Sequence, residues 1–272
     1  MGKLDGKVAL ITGSGRGIGQ SLAFQLANEG ARLVINDLDA EPANETVAAI
    51  KSKGGEAVAC VGSVTAPDFA DRFIRTAMDN FRGIDIIVNN AGYTWDAVIQ
   101  KMTDEQWHAI LDVHLTAPFR ILRAAYPVIS AAAKKEAAEN REVFRKVVNI
   151  SSSSGINGNP GQTNYSAAKA GVIGLTKTLS KEWGRLKVNV NCVAFGWIET
   201  RLTEPTTEAK TIEIEGRQLA VGVGPHAVQA FSQRCPLGRP GHAHEAAGAV
   251  AMYCMPESDY ISGQTILVSG GA

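Results

Sequence analysis

The sequence predicts one α/β domain: a doubly wound sheet of seven parallel strands. Three observations predict it. Short β-branched runs alternate with longer amphipathic runs along most of the 272 residues. Most of the short runs are nearly continuously apolar, as strands covered on both faces must be. A Gly-rich segment, Thr12-Gly13-Ser14-Gly15-Arg16-Gly17-Ile18-Gly19, stands where the first strand turns into a helix.

Strands are expected at Val8–Ile11, Leu33–Ile35, Ala57–Val61, Ile84–Val88, Val147–Ile150, Val188–Val193 and Ile266–Val268. Helical segments such as Ile18–Asn28, Ala43–Lys53 and Phe69–Phe81 lie between them. Ligands of such a sheet gather at the carboxyl ends of its strands. No repeat and no Pro- or Gly/Ser-rich linker divides residues 1–272, so one domain is expected. Two stretches look like additions. Lys134–Arg145 is highly charged and reads as a solvated helix end and loop. Glu204–Gln233 precedes the last strand and reads as short helices around a mobile segment, a candidate lid.

Composition bounds the function. Hydrophobic residues make up 45% and charged residues 20%, ordinary for a protein with a real core. Lys plus Arg equals Asp plus Glu, 27 each, which argues against a nucleic-acid or anionic-membrane partner. Cys60, Cys192, Cys235 and Cys254 are widely spaced, with no CxxC. They read as free thiols in a reducing compartment, with no metal site. The apolar run Val8–Ile11 is too short for a signal peptide or a membrane span, so a cytoplasmic protein is expected.

The Gly-rich segment sits where a phosphate site needs it. Glycines let the backbone approach a pyrophosphate, and the helix N-terminus stabilises its charge. The spacing is Gly13-xxx-Gly17-x-Gly19 rather than GxGxxG, and a plain turn remains the alternative for the glycines alone. Asp37 closes the second strand, twenty residues after Gly17. A carboxylate there accepts both ribose hydroxyls of adenosine and repels a 2′-phosphate, which favours NAD over NADP. Arg16 argues the other way, since a guanidinium can reach a 2′-phosphate; the carboxylate carries more weight. Asn89-Asn90-Ala91-Gly92 follows the fourth strand, with small residues that admit a ligand.

Ser152 to Lys169 changes character halfway. Its first half is rich in Ser, Gly and Asn; its second half opens a helix running to Trp183. Tyr165 and Lys169 lie four apart on one helix face. A phenol beside an ammonium becomes more acidic. At about 4 Å and an effective dielectric of about 20 the attraction is about 4 kcal/mol before desolvation, which bounds the lowering at about 3 pKa units.

With TGSGRGIG at 12–19, NNAG at 89–92, Ser152, the YSAAK run at 165–169 and the terminal GQTILVSGG, the chain resembles the short-chain dehydrogenase/reductase family over nearly its whole length. Within it, GNPGQTNYSAAKAGVIGLTKTLSKEWG at 158–184 is most similar to 3-oxoacyl-[acyl carrier protein] reductases. The resemblance implies a Rossmann-type sheet and transfer of hydride between NAD(H) and a carbonyl or secondary alcohol. It implies Tyr165 as acid/base and Ser152, thirteen residues earlier, as the group on the substrate oxygen. Lys169 would hold the nicotinamide ribose and lower the tyrosine pKa, and Ile198 and Thr200 would contact the carboxamide. Gly13, Gly15, Arg16, Gly17, Ile18, Gly19, Asp37, Ser63, Val64, Asn90, Ala91 and Gly92 complete the cofactor set. A homotetramer is implied as well.

Four positions depart from the family pattern. His114 stands where an Asn helps to hold a proton-relay water; it reads equally as a relay group or a structural histidine. Ser63 replaces the Asp that takes the adenine amine. Phe195 replaces a Pro near the nicotinamide, and Ser269 replaces a C-terminal Asp. The leading substrate is a 3-oxoacyl thioester. Hydroxyacyl thioesters, steroids or cyclic alcohols form the runner-up, and a non-catalytic dinucleotide sensor is the reading from a different class. Arg120 and Arg123 offer an acidic acyl carrier a basic patch, or simply a solvated helix face.

Overall fold

A computed structural model describes residues 2–207 and 210–272. In chain order the strands are β1 Val8–Ile11, β2 Arg32–Ile35, β3 Ala57–Ala59, β4 Ile86–Asn89, β5 Arg145–Ser152 and β6 Val188–Phe195. Then come β7 Ile198–Glu199, β8 Lys210–Ile214, β9 Arg217–Val221, β10 Gly241–His242 and β11 Thr265–Val268. The main sheet has seven strands in the order β11-β6-β5-β4-β1-β2-β3, and every neighbouring pair is parallel. The order reverses between β1 and β4, which opens a crevice at their carboxyl ends.

The helices are α1 Gly17–Asn28, α2 Ala40–Ser52, α3 Phe69–Phe81, α4 Asp104–Leu111, α5 Ala117–Ala138, α6 Ser153–Asn157, α7 Thr163–Glu182, α8 Pro225–Arg234 and α9 Ala243–Cys254. They cover both faces of the sheet. Alternation along β1 shows why: Val8 and Leu10 join one apolar cluster with Phe69, Phe73 and Ile121, while Ala9 and Ile11 join the other with Leu22, Ile50 and Val250. β1, β2 and β4 are almost wholly apolar because they are covered on both faces. Among the described residues, no helix is long and apolar enough to cross a membrane. All four cysteines are buried free thiols.

Two expectations need correction. The charged stretch Lys134–Arg145 is not solvated to its end: Arg145 begins β5, is 5% exposed, and pairs with Glu136 at 2.7 Å. Its aliphatic stem and bidentate partner allow a guanidinium to enter the core edge. The candidate lid is not only short helices, because β8 and β9 form an antiparallel hairpin ahead of α8. Positions 208 and 209 of that stretch lie outside the described residues.

Candidate active site

The loop after β1 is shaped by its glycines. Gly13 and Gly17 adopt φ of +62° and +58°, where L side chains are rare. A Cβ at Gly13 would lie 2.8 Å from the Ala91 Cα, and one at Gly19 would lie 2.2 Å from the Gly13 carbonyl oxygen. The Asn89–Gly92 turn is therefore pressed against this loop and tied to it. Asn90 and Ala91 donate their amides to the Thr12 hydroxyl at 2.9 and 3.0 Å. The Asn90 side chain donates to the Thr12 and Gly13 carbonyls, both at 2.9 Å. α1 starts at Gly17 without a side-chain cap, so its first amides are available to an anion.

Asp37 is 9% exposed and its carboxylate accepts from the Gly15 and Asp39 amides at 3.1 and 3.2 Å. Arg16 is engaged at the same place, 2.7 Å from Asp39 and 3.7 Å from Asp37. A cavity of about 290 Å³ lies between this loop, Asp37, Ser63, Val64 and Ala91. A dinucleotide fits these features: a backbone cradle that tolerates no Cβ, an uncapped helix end, and a fixed carboxylate beyond it.

The second group of residues rests on buried polar contacts. The Asn89 side chain donates to Asn149 at 2.8 Å, and Asn149 donates to Thr176 at 2.9 Å, which ties β4, β5 and α7 together. Ser152 ends β5 and caps α6, accepting from the Ser154 amide at 3.1 Å. One turn apart on α7, Tyr165 and Lys169 face the same cavity. Lys169 is 4% exposed; its Nζ donates to the Ile150 carbonyl at 2.7 Å and lies 5.5 Å from the Tyr165 ring centroid.

Burial dominates the titration of this pair. It pushes the Tyr165 phenol up to about 12, while the neighbouring Ser152 hydroxyl pulls it down. Burial lowers Lys169 to about 8. Burial thus opposes the acidic tyrosine expected from helix spacing, and the Lys169 ammonium turns to the Ile150 carbonyl.

His114 lies in a π-helical turn, Asp112–Thr116, between α4 and α5. It is 3% exposed, and its ring meets Tyr165 edge-on at 4.9 Å. Its Nε2 lies 2.7 Å from the Tyr93 carbonyl. A carbonyl only accepts, so Nε2 carries the hydrogen and Nδ1 the lone pair. Among the described residues, that buried Nδ1 has no hydrogen-bond partner. A Cβ at Gly92 would come 2.1 Å from the ring, so the glycine makes room for this histidine.

A cavity of about 750 Å³ brings together Ser152, Tyr165, Lys169, His114, Ile198 and Thr200. The smaller cleft gathers Gly13, Arg16, Gly17, Gly19, Asp37, Ser63, Val64 and Ala91; Ile18, Asn90, Gly92 and Thr200 border both. Gly15 borders neither and acts through its amide on Asp37. Phe195 lines the larger cavity, whereas the Ser269 hydroxyl only meets the Ala272 carbonyl at 2.8 Å. Arg120 donates to the Thr65 carbonyl at 3.3 Å and Arg123 lies 4.9 Å over the Phe119 ring, so each has an intramolecular partner. The sequence reading missed Phe231 and Arg234 in the larger cavity and Glu215 in the smaller. Glu215 and Phe231 come from the stretch read as a lid and Arg234 follows it directly, where residue type alone carries no address.

Residues 7–211 match the short chain dehydrogenase family profile. The chain belongs to the short-chain dehydrogenase family. A 3-oxoacyl-[acyl-carrier-protein] reductase of Synechocystis is 38% identical, covering 100% of this chain and 98% of the relative. Another, from Thermotoga maritima, is 36% identical over 99% of this chain and 98% of its own length. Among solved structures, a gluconate 5-dehydrogenase from Burkholderia cenocepacia in complex with NADP and tartrate is 31% identical, with a TM-score of 0.83 over 98% of this chain and 95% of that one. A short-chain dehydrogenase is a nicotinamide-dependent oxidoreductase acting on CH–OH groups, and the cradle and cleft above suit that cofactor class.

Proposed function

We propose that the protein is an NAD(H)-dependent reductase of 3-oxoacyl thioesters. The observation that carries this reading is the wall of Ser152, Tyr165 and Lys169 facing Ile198 and Thr200 across the larger cavity, next to the dinucleotide cleft. The substrate class follows the activity of relatives that align over 98% or more of this chain. The preference for NAD rests on Asp37 and on Arg16, whose guanidinium is already held by Asp37 and Asp39. The NADP in the gluconate dehydrogenase structure belongs to that protein.

A bound nicotinamide supplies hydride in reduction and accepts it in oxidation. Ser152 and Tyr165 hold the carbonyl oxygen from one side. Tyr165 gives its phenolic proton to that oxygen as negative charge develops there. With its pKa near 12 the phenol is fully protonated at pH 7, the form that reduction requires. Lys169, near 8, is still largely an ammonium at that pH, ready to hold ribose hydroxyls and stabilise the phenolate left behind. Oxidation needs the phenolate, so its rate climbs with pH while reduction declines above about 8.

A cytoplasmic homotetramer belongs to the same reading. Met252, Tyr260, Ile261, Ile266 and Leu267 leave apolar surface on and near the edge strand β11. Light scattering on the purified protein tests the assembly.

Steady-state kinetics with NADH and NADPH, over 3-oxoacyl thioesters and cyclic ketones, tests the function. The expected result is thioester reduction with NADH favoured in kcat/KM by at least about tenfold, the scale of one charged contact. Equal or better kcat/KM with NADPH removes the Asp37 argument. Turnover of cyclic ketones alone selects the runner-up substrates, and binding without turnover selects the sensor.

A further inference from the structure

The hairpin of β8 and β9 reaches across the mouth of the dinucleotide cleft. Its inward residues anchor it: Leu219 is 2% exposed, and Ile212 and Ile214 pack on the cluster that holds Phe69 and Ile121. Arg217 lies 5.4 Å over the Trp95 ring and donates to Glu105 at 3.0 Å. The tip is Glu215-Gly216, with φ of +50° and +78°. A turn with both central residues left-handed favours Asn, Asp or Gly at its first position. A glutamate held there is an observed strain that asks for a reason.

The reason lies in what the tip touches. The Glu215 carboxylate accepts from the Ser63 hydroxyl, and from the Thr65 hydroxyl at 3.3 Å. Arg217 steadies its other oxygen at 3.2 Å. Glu213, Ile214 and Glu215 thus close the cleft over Asp37, Leu38, Ser63 and Val64. Ser63 occupies the position where the family pattern places an Asp for the adenine amine. This chain lacks that carboxylate on the sheet and carries one beside the same position, on the hairpin.

We propose that Glu215 is a cofactor-recognition residue: together with Ser63 it accepts the 6-amino group of adenine, and the hairpin shields the adenosine half of the dinucleotide. This rests on the dinucleotide reading of the cleft. An exocyclic amine has two hydrogens to donate, and a carboxylate is its strongest neutral-pH acceptor. The hydroxyls of Ser63 and Thr65 hold the carboxylate in place between ligand encounters.

The test is a binding cycle by titration calorimetry. Wild type, Glu215→Ala, Glu215→Gln and Asp37→Ala are each titrated with NAD and with its analogue carrying hydrogen in place of the 6-amino group. Wild type is expected to lose about tenfold or more in affinity when the amine is removed, the scale of a charge-assisted hydrogen bond. Glu215→Ala is expected to lose less than about twofold for the same change, with Glu215→Gln between them. The assignment to Glu215 is overturned if its variants keep the wild-type ratio, or if wild type does not sense the amine. Asp37→Ala separates the two readings. If it weakens both ligands while Glu215→Ala keeps the wild-type ratio, the cofactor cleft stands and the Glu215 role falls. If wild type binds neither ligand, both fall.

Discussion

Two walls face each other across the larger cavity, and they are built differently. The wall of β5 and α7 is held by buried polar contacts: Asn89 to Asn149 to Thr176, Ser151 to the Lys169 carbonyl at 2.8 Å, and Lys169 to Ile150. The opposite wall, Thr200–Thr203 and Val223–Arg234 with the hairpin beside it over the smaller cleft, is held mostly at the surface. α8 buries none of its residues, and the ion pairs Lys210–Glu204 and Arg217–Glu105 are largely exposed. Exposed pairs contribute about 0–1 kcal/mol each, whereas breaking a buried hydrogen bond costs about 1–3 kcal/mol. Reacting groups need fixed geometry, and the proposed mechanism puts them on the first wall. Selectivity tolerates adjustment and is assigned to the second.

Substitutions on the first wall should strike turnover. Tyr165→Phe removes the proton donor and keeps the ring that meets His114. Its kcat is expected to fall by about a hundredfold or more, with NAD affinity by calorimetry within about twofold of wild type. Near-normal turnover would break the contrast at its strongest point, because the fixed wall would then hold no acid.

Substitutions on the second wall should strike binding first. Leu219→Ala takes out the one fully buried anchor of the hairpin, at a local cost of about 2 kcal/mol or more. Hydrogen exchange should then quicken across 210–221 while β5 and α7 keep their protection. KM for the dinucleotide should rise by about tenfold with kcat nearly unchanged. Equal loss of protection in both walls would show that they open together and that the contrast is only apparent.

The same contrast governs what was legible beforehand. The glycine loop, Asp37 at a strand end and the Tyr165–Lys169 pair follow from backbone needs and helix period, so sequence position carries them directly, whereas the family resemblance alone selects Ser152 over Ser151, Ser153 and Ser154. Helix period places two residues on one face but does not aim their ends, which is why the turn of Lys169 towards the Ile150 carbonyl was not readable. Arg145 read as solvent-exposed because its partner Glu136 lies nine residues back on a separate element. The hairpin did leave a signal, Ile212 and Ile214 alternating before Glu215-Gly216, with Leu219 and Val221 alternating after it. Gly222, Gly224 and Pro225 nearby suggested irregular chain and masked it. Where the tip lands is a tertiary fact, and no local pattern encodes its contact with Ser63.

The smallest expected effect concerns His114, which packs edge-on against Tyr165 of the first wall and departs from the family pattern. Burial first, and then the charge of Lys169, hold its pKa well below 6.5. The unfolded chain therefore takes up a proton below about pH 6.5 that the folded chain refuses. Stability from this group is complete above 6.5 and is lost as pH falls beneath it. His114→Asn removes that linkage, so between pH 6.5 and 5 the wild-type Tm should drop more steeply than that of the variant. Near pH 6.5 His114 is neutral in the folded enzyme, with Nε2 donating to Tyr93 and Nδ1 left to accept. Holding a relay water needs only that lone pair, so kcat for reduction should show no inflection near 6.5 in either protein. An inflection present in wild type and absent in His114→Asn would make the histidine a titrating acid and move part of the proton supply onto it.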